Sequence, residues 1–183
     1  MRRNRRESEY TQPTEICPHP EYWHTGDCET TEQEVVELIG AFVRALQPEL
    51  VVETGSYKGV MSRAIGEALK KNGHGRLITF EVDAALAEVS RRACRRLPVE
   101  VRHESSLAWR PAEKIDFCWL DSGIETRVQE FEQYYSYIKG SIIGIHDTAP
   151  HHPVRAQILE KIIDRLSPIW LPTPRGVMLA QVK

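Results

Sequence analysis

Four short apolar runs of this chain each end on groups able to do chemistry. Val51-Val52 runs into Glu53, Leu77-Ile78-Thr79-Phe80 into Glu81, Phe117-Cys118-Trp119-Leu120 into Asp121, and Ile142 to Ile145 into the pair His146-Asp147. The first is followed at once by Thr54-Gly55-Ser56-Tyr57-Lys58-Gly59. Gly55 lets the backbone turn sharply off a strand, and Gly59 is expected to let the next helix start close against a ligand. A dinucleotide site asks for G-x-G-x-x-G, with pyrophosphate on the amides of a helix N-terminus. Here the pattern is G-x-x-x-G preceded by an acid. A carboxylate repels pyrophosphate and attracts an ammonium or sulfonium, so Glu53 and its loop point to a nucleoside that carries positive charge.

The elements that must hold these groups can be traced along the chain. Thr30 and Thr31 are expected to cap a helix over about 31–46, carried by Val35, Leu38, Ile39, Phe42, Val43 and Leu46 at helical spacing. Strands are then expected at 50–53, 76–81, 99–103, 115–121 and 141–147. Amphipathic helices alternate with them, starting near Val60, Leu86 and Val128, and at Pro153. Apolar runs around Ile169 and over 177–182, joined by Pro172 to Gly176, suit an antiparallel hairpin. Strands of continuous apolar character alternating with helices indicate an α/β protein with a parallel sheet covered on both faces. Such sheets bind ligands at the carboxyl ends of their strands, where Glu53, Glu81, His103, Asp121, His146 and Asp147 all fall.

Composition narrows the setting. At 183 residues the chain suits one large core. With 41% hydrophobic and 27% charged residues it is not a disordered chain. The formal net charge of -2 argues against nucleic acid as a partner. Arg2, Arg3, Arg5 and Arg6 are followed by Glu7-Ser8-Glu9 rather than by an apolar segment, so a soluble, cytoplasmic protein without membrane attachment is expected. Residues 1–29, rich in Pro, His and aromatics after residue 10, are expected to form a partly disordered arm or lid, and 30–183 the functional domain. Tyr22, Trp23 and His24 would either fold over the site or pin the arm to the core. Cys94 and Cys118 read as small core residues, while Cys17, His19, His24 and Cys28 lack the usual structural-zinc spacing.

The stretch "VVETGSYKG" resembles motif I of class I S-adenosylmethionine-dependent methyltransferases, and Glu81, ending "LITFE" one strand later, matches their ribose-binding acid. The resemblance implies a Rossmann-like seven-stranded sheet, mostly parallel with a C-terminal antiparallel hairpin and helices on both faces. It also implies S-adenosylmethionine as cofactor, held by Glu53, Gly55, Ser56, Gly59, Glu81, Val82, Glu104, Ser105 and Asp121. Val82 would pack an adenine face. Glu104 or Ser105 would stand where the family often has an aspartate beside the base. "WLDSG" followed by "GIHDTAP" is similar to the group containing macrocin O-methyltransferase and the cephalosporin hydroxylase-like proteins, and more distantly catechol O-methyltransferase. That likeness implies O-methylation of a small molecule.

In metal-dependent members the positions of Asp121, His146 and Asp147 hold Mg²⁺; His146 stands where a carboxylate is usual. Two mechanisms follow for these three catalytic candidates. Either Mg²⁺ binds and acidifies a chelated acceptor, or His146 serves as base, with His151 and His152 as further candidates. An RNA or protein acceptor, and a catalytically silent domain of the same fold, are the rival readings. "LDSG" in place of an "NPPY"-type motif argues against the first rival. The absence of an inserted substrate domain favours the second. Self-association is left open.

Overall fold

The structure, a computed structural model, describes residues 12–27 and 29–183. The N-terminal arginines and Cys28 lie outside them. Seven strands and five α-helices follow in the order α1 (Gln33–Leu46), β1 (Leu50–Thr54), α2 (Val60–Asn72), β2 (Arg76–Phe80), α3 (Ala84–Ala93), β3 (Val99–Arg102), β4 (Phe117–Leu120), α4 (Arg127–Ile138), β5 (Ile142–His146), α5 (Pro153–Lys161), β6 (Leu166–Leu171) and β7 (Val177–Val182). They form one sheet in the order β3-β2-β1-β4-β5-β7-β6. β1 to β5 are parallel, and β7 runs antiparallel to both β5 and β6. The order reverses between β1 and β4, which opens a crevice above their carboxyl ends.

Strand alternation sorts the core into two layers. Leu50 and Val52 of β1 join Phe80, Leu120, Phe131, Ile145 and Ile158 on the face covered by α4 and α5. Val51 joins Ile39, Val43, Ile65, Leu69 and Trp119 on the face covered by α1 and α2. Both layers are closely packed from buried side chains, so the sheet is a rigid platform for the loops at its top. Cys94 and Cys118 are buried, as expected of core thiols.

The expected cap of α1 is corrected. Glu32, not a threonine, precedes the helix, and no side chain caps it. The Thr30 hydroxyl donates to Asp27 at 2.8 Å and that of Thr31 to Asp121 at 2.9 Å. Tertiary partners have taken the hydroxyls that the local pattern assigned to the helix end. Among the described residues no helix is long and apolar enough to cross a membrane.

Candidate active site

A cavity of about 550 Å³ opens over the carboxyl ends of β1, β2 and β4, within the range of small-molecule sites. Its floor is the turn after β1. Gly55 there has φ 82°, and a Cβ on it would lie 2.4 Å from the Asp121 carbonyl oxygen. Only glycine lets the two loops approach so closely. The amides of Gly55 and Ser56 both donate to the Phe80 carbonyl, at 3.1 and 3.0 Å, and the amide of Tyr57 donates to Glu81 Oε2 at 2.8 Å. Three consecutive N–H groups are thereby spent inside the protein. None of the three remains to cradle a phosphate.

Glu81 follows β2 and lines the cavity. Its second oxygen accepts from the Asp83 amide at 2.9 Å, so the carboxylate is fixed from both sides by backbone, with acceptor capacity left over. Val82, 72% exposed, stands on the same wall. Glu104, Ser105 and Ser106 close the far end. The Ser105 hydroxyl accepts from the Leu107 amide and starts a short helical turn over Ser106–Ala108.

Three expected cofactor residues do not line this cavity. Glu53 shares its strand face with Val51 and therefore points under α2, where it is buried and accepts from the Ser62 hydroxyl. The expectation that its carboxylate faces the ligand is corrected. Burial pushes that carboxyl up to about 7. Gly59 borders the neighbouring helix instead of a ligand: a Cβ there would meet Ser90 of α3 at 2.9 Å. Ser56 lies in a smaller adjoining cleft with Lys58 and Met61.

The alternation that sends Glu53 away brings Thr54 to the other face. Its hydroxyl donates to Glu130 of α4 at 2.9 Å. Glu130 also accepts from Ser122 at 2.8 Å and from Ser106, and so ties together the loops after β1, β3 and β4 beneath the cavity. Burial raises its carboxyl above the usual range despite these three donors. It was missed from sequence because it sits mid-helix in an ordinary polar pattern. Its one signal was an acid one helical turn from Tyr134, itself buried.

Asp121, His146 and Asp147 do converge, with ligating atoms within 4.8 Å of one another. They converge on partners within the protein. Arg127 Nη2 donates to Asp121 Oδ1 at 3.0 Å and to Asp147 Oδ2 at 2.8 Å, and Arg175 Nε donates to Asp147 Oδ1 at 2.7 Å. His146 is fully buried, its Nδ1 3.2 Å from Asp121 Oδ1 and its Nε2 2.8 Å from Glu32 Oε2. Burial alone would lower the imidazole, but the carboxylates of Asp121, Asp147 and Glu32 outweigh it and raise it to about 10. Both ring nitrogens therefore hold protons at neutral pH, and His146 is an imidazolium. Its expected part as base is corrected. Three carboxylates face two guanidiniums and one imidazolium, a balanced set.

A magnesium ion does not fit these donors. It demands oxygen ligands at about 2.0–2.1 Å in an octahedron, whereas the facing oxygens of Asp121 and Asp147 already hold guanidinium N–H groups and the third donor is an imidazole nitrogen. His152, by contrast, lines the cavity and is held down to about 4 by burial, which the nearby Arg127 and Arg175 reinforce, so it is neutral at pH 7. Its Nδ1 accepts from the Val154 amide at 3.3 Å at the start of α5. In that tautomer Nε2 carries the proton. His151 is exposed and does not line the cavity.

Neither do Tyr22, Trp23 or His24 line it. Trp23 packs on the core layer under α1, and His24 bonds Glu34. The stretch that does reach the cavity is 29–32, with Asp27 beside it. Asp27 pairs with Lys58 at 2.6 Å, Glu29 stands on the cavity wall, and Thr31 and Glu32 bond Asp121 and His146.

A seven-stranded sheet of this order, mostly parallel with a C-terminal antiparallel pair, is a Rossmann-like methyltransferase fold. The model of a methyltransferase-domain family matches residues 52–148, more than half of the chain, and the chain belongs to that family. Comparison with curated proteins gave no match. Among solved structures it is similar to the O-methyltransferase TomG of Streptomyces achromogenes, which acts in tomaymycin synthesis and was crystallised with SAM. The TM-score is 0.69 at 20% identity, over 85% of this chain and 82% of that one. An O-methyltransferase of Bacillus cereus, in complex with SAH, gives 0.71 at 20% identity, covering 86% and 84%. A SAH-bound methyltransferase of Podospora anserina gives 0.71 at 14% identity, covering 87% and 83%.

Proposed function

We propose that the protein transfers the methyl group of S-adenosylmethionine to an oxygen of a small molecule. The observation that carries this reading is Glu81, fixed by two backbone amides on the wall of the cavity, directly above a turn whose own amides are spent. An acceptor-only group so placed suits a ribose diol, whose two hydroxyls need acceptors. Val82 and the 104–106 loop would flank the base. The negative charge of Glu29 and Glu81 on the cavity wall favours the sulfonium. The crystallised neighbours, O-methyltransferases among them, support the same cofactor. A cavity of about 550 Å³ suits a small acceptor better than a polymer.

The chain's own residues would then act chiefly by positioning. Methyl transfer is a displacement at carbon that gains most from holding nucleophile and sulfonium in line. No step runs through a metal ion. Glu81→Ala removes charge-assisted bonds to both ribose hydroxyls, each worth about 1.5–3 kcal/mol before water compensates. S-adenosylmethionine affinity is expected to fall at least about tenfold with the fold intact, measured by calorimetry and circular dichroism. Equal affinity in the folded variant would remove Glu81 from the site.

A further inference from the structure

The triad that should hold a divalent ion is already filled. Asp121 Oδ1 and Asp147 Oδ2 come from loops after adjacent strands, and both point at one atom, Arg127 Nη2, at 3.0 and 2.8 Å. The same guanidinium is anchored by Nε on the Ser122 carbonyl at 2.9 Å and by Nη1 on the His146 carbonyl at 2.7 Å. It thus bonds side chain and backbone of both loops at once, at 4% side-chain exposure. Arg175 covers the outer oxygen of Asp147.

The position of Arg127 is itself informative. It is the first residue of α4, where the helix dipole disfavours a cation. A cation kept at that end must be held by something stronger, and the two carboxylates supply it. A divalent ion entering between them would have to evict Nη2 and leave a buried guanidinium beside a doubly charged neighbour.

We propose that Arg127 is a built-in cation in the seat that a divalent ion takes in metal-dependent relatives. The wild-type protein does not take up Mg²⁺ or Mn²⁺ there, and deleting the guanidinium opens a divalent-cation site on Asp121 and Asp147. This deepens the methyltransferase reading by making the transfer independent of metal. It rests on that reading only where activity is concerned.

The test uses the full chain, as wild type and as Arg127→Met, with MgCl2 and MnCl2 as probes. Thermal unfolding and manganese spin-resonance titration read metal binding without cofactor or acceptor. The wild type is expected to show no midpoint shift and no bound manganese. Arg127→Met is expected to gain at least about tenfold in manganese affinity, with a midpoint that rises with the ion. If Arg127→Met does not fold in metal-free buffer, refolding with and without MnCl2 gives the same reading. Rescue by the ion is expected, and its failure counts against the proposal. Saturable manganese binding by the wild type would overturn it, as would a folded Arg127→Met that gains none. Failure of S-adenosylmethionine to bind would strike the methyltransferase reading and leave these metal readouts as they stand.

Discussion

Asp147→Ala is expected to destabilise the protein by about 3–5 kcal/mol at pH 7, the usual cost of removing one partner from a buried ion pair. The side chain is 6% exposed and holds Arg127 on one oxygen and Arg175 on the other. Alanine would leave both guanidiniums buried with half their charge unmet. It would also sit at φ 59°, a left-handed conformation that alanine resists and asparagine tolerates. Asp147→Asn therefore separates the two causes: it keeps the backbone preference and loses the charge. Burial alone would raise the Asp147 carboxyl, yet His146, Arg127 and Arg175 overrule it and hold it well below the usual range. A depressed carboxyl contributes stability that is present above its unfolded value, near ~3.9, and is lost as pH falls through the folded one. The gap between wild type and Asp147→Asn should thus persist into mild acid. Urea denaturation across pH measures it, and an alanine variant within about 1 kcal/mol of wild type would show the network to be ornamental.

The second large effect has the opposite sign. Glu53 is 1% exposed, and burial first, with the charges of Asp121 and Glu81 adding, raises its carboxyl to about 7. The folded state then binds this proton more tightly than the unfolded chain does. Its contribution is full below the unfolded value, near ~4.3, and is lost as pH rises towards 7, a fall of about 3–4 kcal/mol in all. Glu53→Gln keeps an oxygen to accept from Ser62 and has no charge to desolvate. It should be more stable than wild type by about that amount at pH 8 and nearly equal at pH 4.5. Parallel stability curves for the two proteins between those limits would mean that Glu53 is solvated or paired in a way the geometry does not provide.

These two acids show what was legible in the sequence. All seven strands, their alternation with helices and the acids closing three of them could be read from apolar periodicity, because burial on both sheet faces leaves continuous hydrophobic runs. Of the residues that line the cavity, Glu81 and Asp121 were expected from the rule that ligands meet strand ends, Gly55 from the turn it permits, and Val82, Glu104 and Ser105 only from the family resemblance. Glu53 was misplaced by the same rule taken one residue too early. A strand alternates faces until it ends, and its last residue is Thr54, so Glu53 still belongs to the core.

The partners that decide the chemistry were invisible for a different reason. Arg127, Glu130 and Arg175 lie on a helix start, a helix interior and a hairpin turn, and meet the residues at the strand ends only through tertiary packing. No local spacing encodes such a meeting. Glu32 is 114 residues from the imidazole it bonds. With those arginines unseen, Asp121, His146 and Asp147 read as a metal triad with a spare base; with them in place, the same residues are a balanced ion network.

The most direct test of the methyltransferase reading is a calorimetric titration of the wild-type chain with S-adenosylmethionine and with S-adenosylhomocysteine in metal-free buffer. Saturable one-to-one binding of both is expected, unchanged by added MgCl2 or chelator and weakened at least about tenfold in Glu81→Ala. A wild-type protein that binds neither compound would contradict it.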